Sequence, residues 1–149
     1  MKKQNKQNKP RKHKCPYCGA ETIKRMAGDI YETNRNKKLY VCSRYPRCDA
    51  YVSADLPHPV LADAKLRRLR IIAHRYVNAM ITNGLMKKDD IYAWFAMVVV
   101  CSRRQAHISQ FNDHQCGLII QAGKEKLKTK KIPFDPEKGG GIHGKVGCA

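Results

Sequence analysis

Acidic residues are scarce in this chain. Twelve Asp+Glu stand against thirty Lys+Arg, leaving a formal charge of +18 over 149 residues. A solvated surface does not need that excess, and self-repulsion works against the compact state. The imbalance points to a polyanionic partner. Long apolar runs are also missing. The longest, "IYAWFAMVVVC" at 91–101, is about half the length of a spanning helix. The charged N-terminus has no apolar segment behind it, so no secretory leader is expected. These absences predict a cytoplasmic protein with no membrane partner. Catalytic signatures are lacking as well. There is no phosphate-binding Gly-rich loop, and the acids are spread too thinly to predict a carboxylate cluster for Mg²⁺. Asp89-Asp90 reads as the acidic start of a helix. The expectation is that the protein is not an enzyme; a metal-dependent nuclease ranks third among its readings.

The seven cysteines are an odd number, which argues against a closed disulfide framework. In a reducing compartment, cysteine pairs more often mean metal. Four of them form two close pairs, Cys15-Pro-Tyr-Cys18-Gly and Cys42-Ser-Arg-Tyr-Pro-Arg-Cys48. Two intervening residues let both thiolates face one ion, and Gly19 permits a turn with positive φ. Pro46 stiffens the wider second loop. Four thiolates with no open position describe one structural Zn²⁺ held by Cys15, Cys18, Cys42 and Cys48. Between them "ETIKRM", "DIYE" and "LYVC" read as short strands, with turn residues at "NRNKK" and a further strand at "DAYVS". This is the pattern of a zinc ribbon.

The remaining chain reads as helical. Ala62, Leu66, Leu69, Ala73, Tyr76 and Met80 recur at helical steps, and Gly84 supplies a stop. "KDDIYAWFAMVVVCS" is a second, more buried helix, its end blurred by Val98, Val99 and Val100. "DHQCGLIIQAGKEKL" is a third, capped by Asn112 or Asp113. The predicted fold is a small zinc-bound β module followed by a bundle of about three helices. The predicted divisions are a disordered basic arm (1–14), the ribbon (15–54), a stiff linker (55–60), the helical domain (61–127) and a disordered tail (128–149). Cys101 and Cys116 read as small buried hydrophobes rather than a second metal site.

Cations and tyrosines interleave around the metal: Lys14, Lys24, Arg25, Arg44 and Arg47 with Tyr17, Tyr31, Tyr40, Tyr45 and Tyr51. Single strands are held this way, cations tracking phosphates and aromatic faces taking bases. Arg44, Tyr45 and Arg47 lie inside the second knuckle and are the leading contact candidates. Tyr17, Lys24 and Arg25 join them, and Arg67 and Arg70 follow from the first helix. Tyr40 and Tyr51 read as ribbon core. For the helix cations, a solvated face is the competing explanation.

The stretch "CPYCG" followed by "CSRYPRCDAYV" resembles the four-cysteine zinc ribbons at the C-terminal end of bacterial type I DNA topoisomerases, which bind single-stranded DNA. The resemblance spans about forty residues and carries the ribbon fold and its four ligands, but no catalytic residue. A longer stretch, from "CPYCG" through "LADAKLRRLRIIAHRYVNAM" and "IYAWFA" to "HISQFNDHQCGLII", resembles a small zinc-finger-containing domain family found mainly in bacteriophages and prophages. That resemblance implies the architecture and a phage-type origin. The expected function is non-catalytic nucleic-acid binding in a bacterial host cytoplasm, favouring single-stranded DNA. A zinc-ribbon adaptor with a protein partner is the alternative.

Overall fold

The computed structural model describes residues 13–56 and 58–138. Three antiparallel strands come first: β1 (Thr22–Met26), β2 (Lys38–Cys42) and β3 (Tyr51–Ser53), in the order β1-β2-β3. Their register pairs Ile23 with Val41, Arg25 with Leu39 and Val41 with Tyr51, so these side chains share one face. Lys24, Tyr40 and Val52 share the other. The first face is closed by Ala27, Leu39 and Val41 packed with Tyr31, Tyr45 and Tyr51. The second lies on Cys15, Cys42, Ala50 and Leu61. Both cores are too small to stabilise a sheet alone.

The helices α1 (Ala64–Thr82), α2 (Ile91–Val99) and α3 (Asp113–Thr129) follow. Asp63 caps α1 by accepting from the Leu66 amide, and the apolar face predicted for this helix is the one buried. Its end is a glycine turn: Gly84 has φ 71°, with Gly84 N–H donating to the Ile81 carbonyl and Leu85 N–H to that of Met80. A 3₁₀ turn at Lys88–Asp90 leads into α2, which stops at Val99 because Val100 takes the left-handed conformation, φ 56°. Asn112 caps α3 in a reciprocal box with Gln115. Met80, Trp94, Phe95, Ile108, Phe111 and Ile119 fill the space between the helices. Gly123 of α3 sits so close to Tyr76 of α1 that a Cβ there would lie 3.1 Å from the Tyr76 Cβ.

Three boundaries differ from the sequence reading. The disordered tail does not begin at 128. α3 runs to Thr129, Lys131 turns with φ 53°, and Ile132 and Phe134 pack back on the bundle. The Phe134 ring meets Tyr76 edge-on at 5.0 Å, and Arg75 donates to the Pro136 carbonyl. Residues 139–149 lie outside the described residues. At the other end His13 and Lys14 belong to the ribbon: the Thr22 amide donates to the His13 carbonyl, and Lys14 bridges Glu21. The rest of the predicted arm, 1–12, lies outside the described residues. The boundary after the predicted stiff linker, 55–60, also differs: Leu61 and Ala62, read as the start of the helical domain, join the ribbon. Tyr51 and Ala62 exchange backbone hydrogen bonds, and Leu61 is buried against the ribbon.

Candidate metal centre and the surface around it

The four cysteines converge. Their sulfurs all lie within 4.8 Å of one another. Cys15 Sγ is 3.6 Å from Cys48 Sγ, and Cys18 Sγ is 3.4 Å from Cys42 Sγ. A tetrahedral Zn²⁺ with bonds of about 2.3 Å requires sulfur separations of about 3.8 Å. A disulfide would require about 2.05 Å. The spacing therefore fits a metal and not a covalent bridge. The backbone supports it. The Ala20 N–H points at the Cys18 sulfur and lowers its pKa to about 7. Burial pushes Cys42 up to about 12, against the N–H of Arg44. Burial raises Cys48 as well, against the N–H of Ala50. In three of the four positions, then, the amide two residues onward faces the sulfur. Two thiols that resist ionisation, the buried Cys42 and the half-buried Cys48, next to two others need a cation to become four thiolates, and zinc supplies that charge.

A family model described as a zinc-finger-containing domain matches residues 11–126. The chain belongs to this family. No curated protein and no solved structure matches it at a significant level. The zinc-finger-containing domain thus covers the ribbon and nearly all of the helical part. Its four cysteines hold one structural zinc, and the binding energy of such sites, about 10–16 kcal/mol, explains how so small a sheet is stable. Among the described residues, these four cysteines are the sole grouping of three or more close metal-ligating side chains.

The predicted contact residues divide into two sets. Arg44 and Arg47 are exposed on the zinc-held loop, and neither has an ion-pair partner among the described residues. Lys24 is exposed with its ammonium 5.4 Å from the Tyr40 ring centre. Arg25 is half-buried, 5.8 Å from the Tyr45 ring centre and 3.7 Å from Asp29. Tyr45 is half-buried beside Tyr51, ring centres 6.5 Å apart, and the Tyr31 ring lies 6.1 Å from that of Tyr51. Tyr17 is 44% exposed and is the one exposed aromatic ring among the described residues. Burial raises its hydroxyl pKa, with Asp63 and Asp113 near enough to act on it, so the ring leans from the first knuckle toward the starts of α1 and α3.

The α1 cations form the second set, and here the sequence reading is corrected. Arg70 is no surface contact. It is only 8% exposed; its Nε and Nη2 donate to the Phe111 carbonyl at 3.3 and 3.1 Å, and its Nη1 donates to that of Val60 at 3.1 Å. Arg67 is likewise engaged within the chain. Its Nη1 donates to the carbonyls of Asp49 and Ala62 at 2.6 and 2.7 Å, and its guanidinium lies 3.8 Å over the Tyr51 ring. Lys65 pairs with Asp113, Arg68 with Glu137, and Arg75 reaches the Pro136 carbonyl. The helix pattern alone could not show these partners, because they come from the second zinc loop (Asp49), β3 (Tyr51), the segment before α1 (Val60, Ala62), the approach to α3 and its start (Phe111, Asp113) and the segment beyond α3 (Pro136, Glu137). The planar guanidinium explains why arginines hold the inner positions: one fork reaches two carbonyls at once. Asp49 is the site residue that sequence reasoning gave no role, and Tyr31, read only as one of the tyrosines around the metal, packs on the Tyr51 face. The abundance of tyrosine was visible, but nothing in the spacing said which rings would meet.

Proposed function

We propose that this protein is a non-catalytic zinc-ribbon nucleic-acid-binding protein that favours single-stranded DNA. The observation that carries the reading is the contrast between the two sets of cations. The α1 arginines are committed to internal contacts, while Arg44 and Arg47 are left exposed on a loop whose shape the zinc fixes. Lys14, Lys24, Lys37 and Lys38 are exposed on the same module. A charge of +18 adds long-range attraction for a polyanion. The half-buried tyrosines and the open Tyr17 ring supply surfaces for unstacked bases. The resemblance to topoisomerase ribbons and to a phage and prophage family leads us to place the protein in a bacterial cytoplasm, acting on phage or host nucleic acid.

A protein-docking role is the second reading, favoured by an apolar protrusion at the end of α2, where Met97 is 70% and Val100 88% exposed. No helix is long and apolar enough to cross a membrane among the described residues. Fluorescence anisotropy with labelled single-stranded and duplex oligonucleotides, from about 50 to about 300 mM salt, separates the readings. Nucleic-acid binding predicts tighter binding to the single strand and steep weakening with salt. It also predicts loss of affinity when a chelator removes the zinc. Binding that is flat with salt, or no binding near 150 mM, would favour the docking role.

A further inference from the structure

A cleft of about 460 Å³ runs between the first zinc knuckle and the start of α3. Pro16 and Tyr17 of the knuckle form one wall; Leu61 and Phe111 form the apolar interior. Gln110, Asn112, Asp113 and His114 are its polar lining residues. Two features mark it as more than a seam. Gln110 is one of the residues lining the cleft, and its amide nitrogen, Nε2, is buried with no hydrogen-bond partner among the described residues. And the buried Arg70 ties together the carbonyls of two of the lining residues, Val60 and Phe111. Arg70 thus links two lining residues, and the knuckle that holds the zinc supplies two more, Pro16 and Tyr17.

The chemistry of the lining narrows the occupant. An alkyl chain would leave the Gln110 donor unpaired. A phosphate would meet the Asp113 carboxylate, whose cation, Lys65, already lies 3.2 Å away. A planar heteroaromatic ring suits all of it: apolar faces for the walls, an acceptor for the Gln110 amide, and N–H groups for the carboxylate. We propose that this cleft takes one unstacked nucleobase of a bound single strand, with Tyr17 as its outer wall and Gln110 reading its edge. The proposal rests on the nucleic-acid reading above and deepens it, since it names where a base goes while Arg44 and Arg47 follow the backbone.

The test uses the full-length, zinc-loaded protein. The Gln110 side-chain amide is followed by NMR during titration with each of the four nucleoside 5′-monophosphates, then with a Leu/Lys-rich peptide. In parallel, Tyr17→Ala, Tyr17→Phe and Gln110→Leu are compared with wild type for binding a labelled single strand at fixed salt. The expected results are a shift of the Gln110 amide with at least one nucleotide and a loss of roughly 5- to 100-fold in affinity for Tyr17→Ala. Tyr17→Phe should stay close to wild type, because Tyr17 acts through its ring face, and Gln110→Leu should lose several-fold. Wild-type salt-dependent binding combined with no amide shift and Tyr17→Ala within twofold would overturn the cleft and leave the nucleic-acid reading standing. An amide shift with the peptide but with no nucleotide would overturn it in favour of protein docking. A wild type that binds no oligonucleotide would overturn both.

Discussion

Replacing Arg70 separates its role as an internal strut from the role of a phosphate contact. Its guanidinium makes three hydrogen bonds to two carbonyls, Phe111 and Val60. Arg70→Met keeps an unbranched stem and removes every donor. Two carbonyls then lose their partner, at about 1–3 kcal/mol for each group left buried and unpaired. Removing a buried charge returns part of this, since its own desolvation cost disappears. The net expectation is a loss of about 2–4 kcal/mol, a large share of the roughly 5–15 kcal/mol that holds a domain together. Arg70→Lys should recover little, because an ammonium is a point donor and not a fork. Urea unfolding of the zinc-loaded variants measures the loss. Under conditions where both proteins are folded, single-strand affinity should stay within twofold of wild type. A variant as stable as wild type that has lost its nucleic-acid affinity would refute the reasoning, and would return Arg70 to the surface role its sequence position suggested.

Two glycines of α3 should respond oppositely to the same substitution. Gly117→Ala meets nothing within 4 Å and should stabilise by about 1 kcal/mol; Gly123→Ala drives a Cβ against Tyr76 and should destabilise by about 1–3 kcal/mol, both read from thermal or urea unfolding. His74 is held neutral on α1: burial, then the nearby Arg70 charge, lowers its pKa from 6.5 to about 4. Its contribution is therefore intact above pH 6.5 and is lost as pH falls toward 4, because the unfolded chain takes up the proton first. The loss totals roughly 3 kcal/mol. Comparing wild type with His74→Gln at neutral pH and near pH 4.5 should show the wild type losing about 2–3 kcal/mol more, while zinc release affects both alike. Phe134→Ala should cost about 1–2 kcal/mol through the lost Tyr76 contact, measured by the shift in melting temperature.

The metal centre was legible because ligand chemistry is local: two close cysteine pairs with a turn glycine leave few alternatives. The helices were legible from periodicity, and the caps at Asp63, Gly84 and Asn112 mark their ends with residues whose chemistry suits those places. What the sequence hid was long-range. Arg70 finds its acceptors ten and forty-one residues away, so no window on the helix could show that it points inward. The end of α3 was obscured for a related reason. Lys131 adopts a left-handed turn without glycine, and Ile132 and Phe134 sit among lysines and prolines with no periodicity. Their burial depends on Tyr76 being opposite. The ribbon's tyrosines were visible in number, but only strand register places Tyr51 on the face of Leu39 and Val41 and leaves Tyr40 on the metal side.

The central claim is that the zinc-held loop is the face that meets nucleic acid. The direct measurement is the affinity of zinc-loaded Arg44→Glu/Arg47→Glu for a labelled single strand across a salt series, beside wild type and a chain lacking residues 1–14. The account predicts a drop of at least about tenfold and a salt dependence shallower by about two charges, in a variant that keeps its zinc and its melting temperature. A variant that matches wild type in affinity and slope, with binding lost only when residues 1–14 are removed, would contradict it.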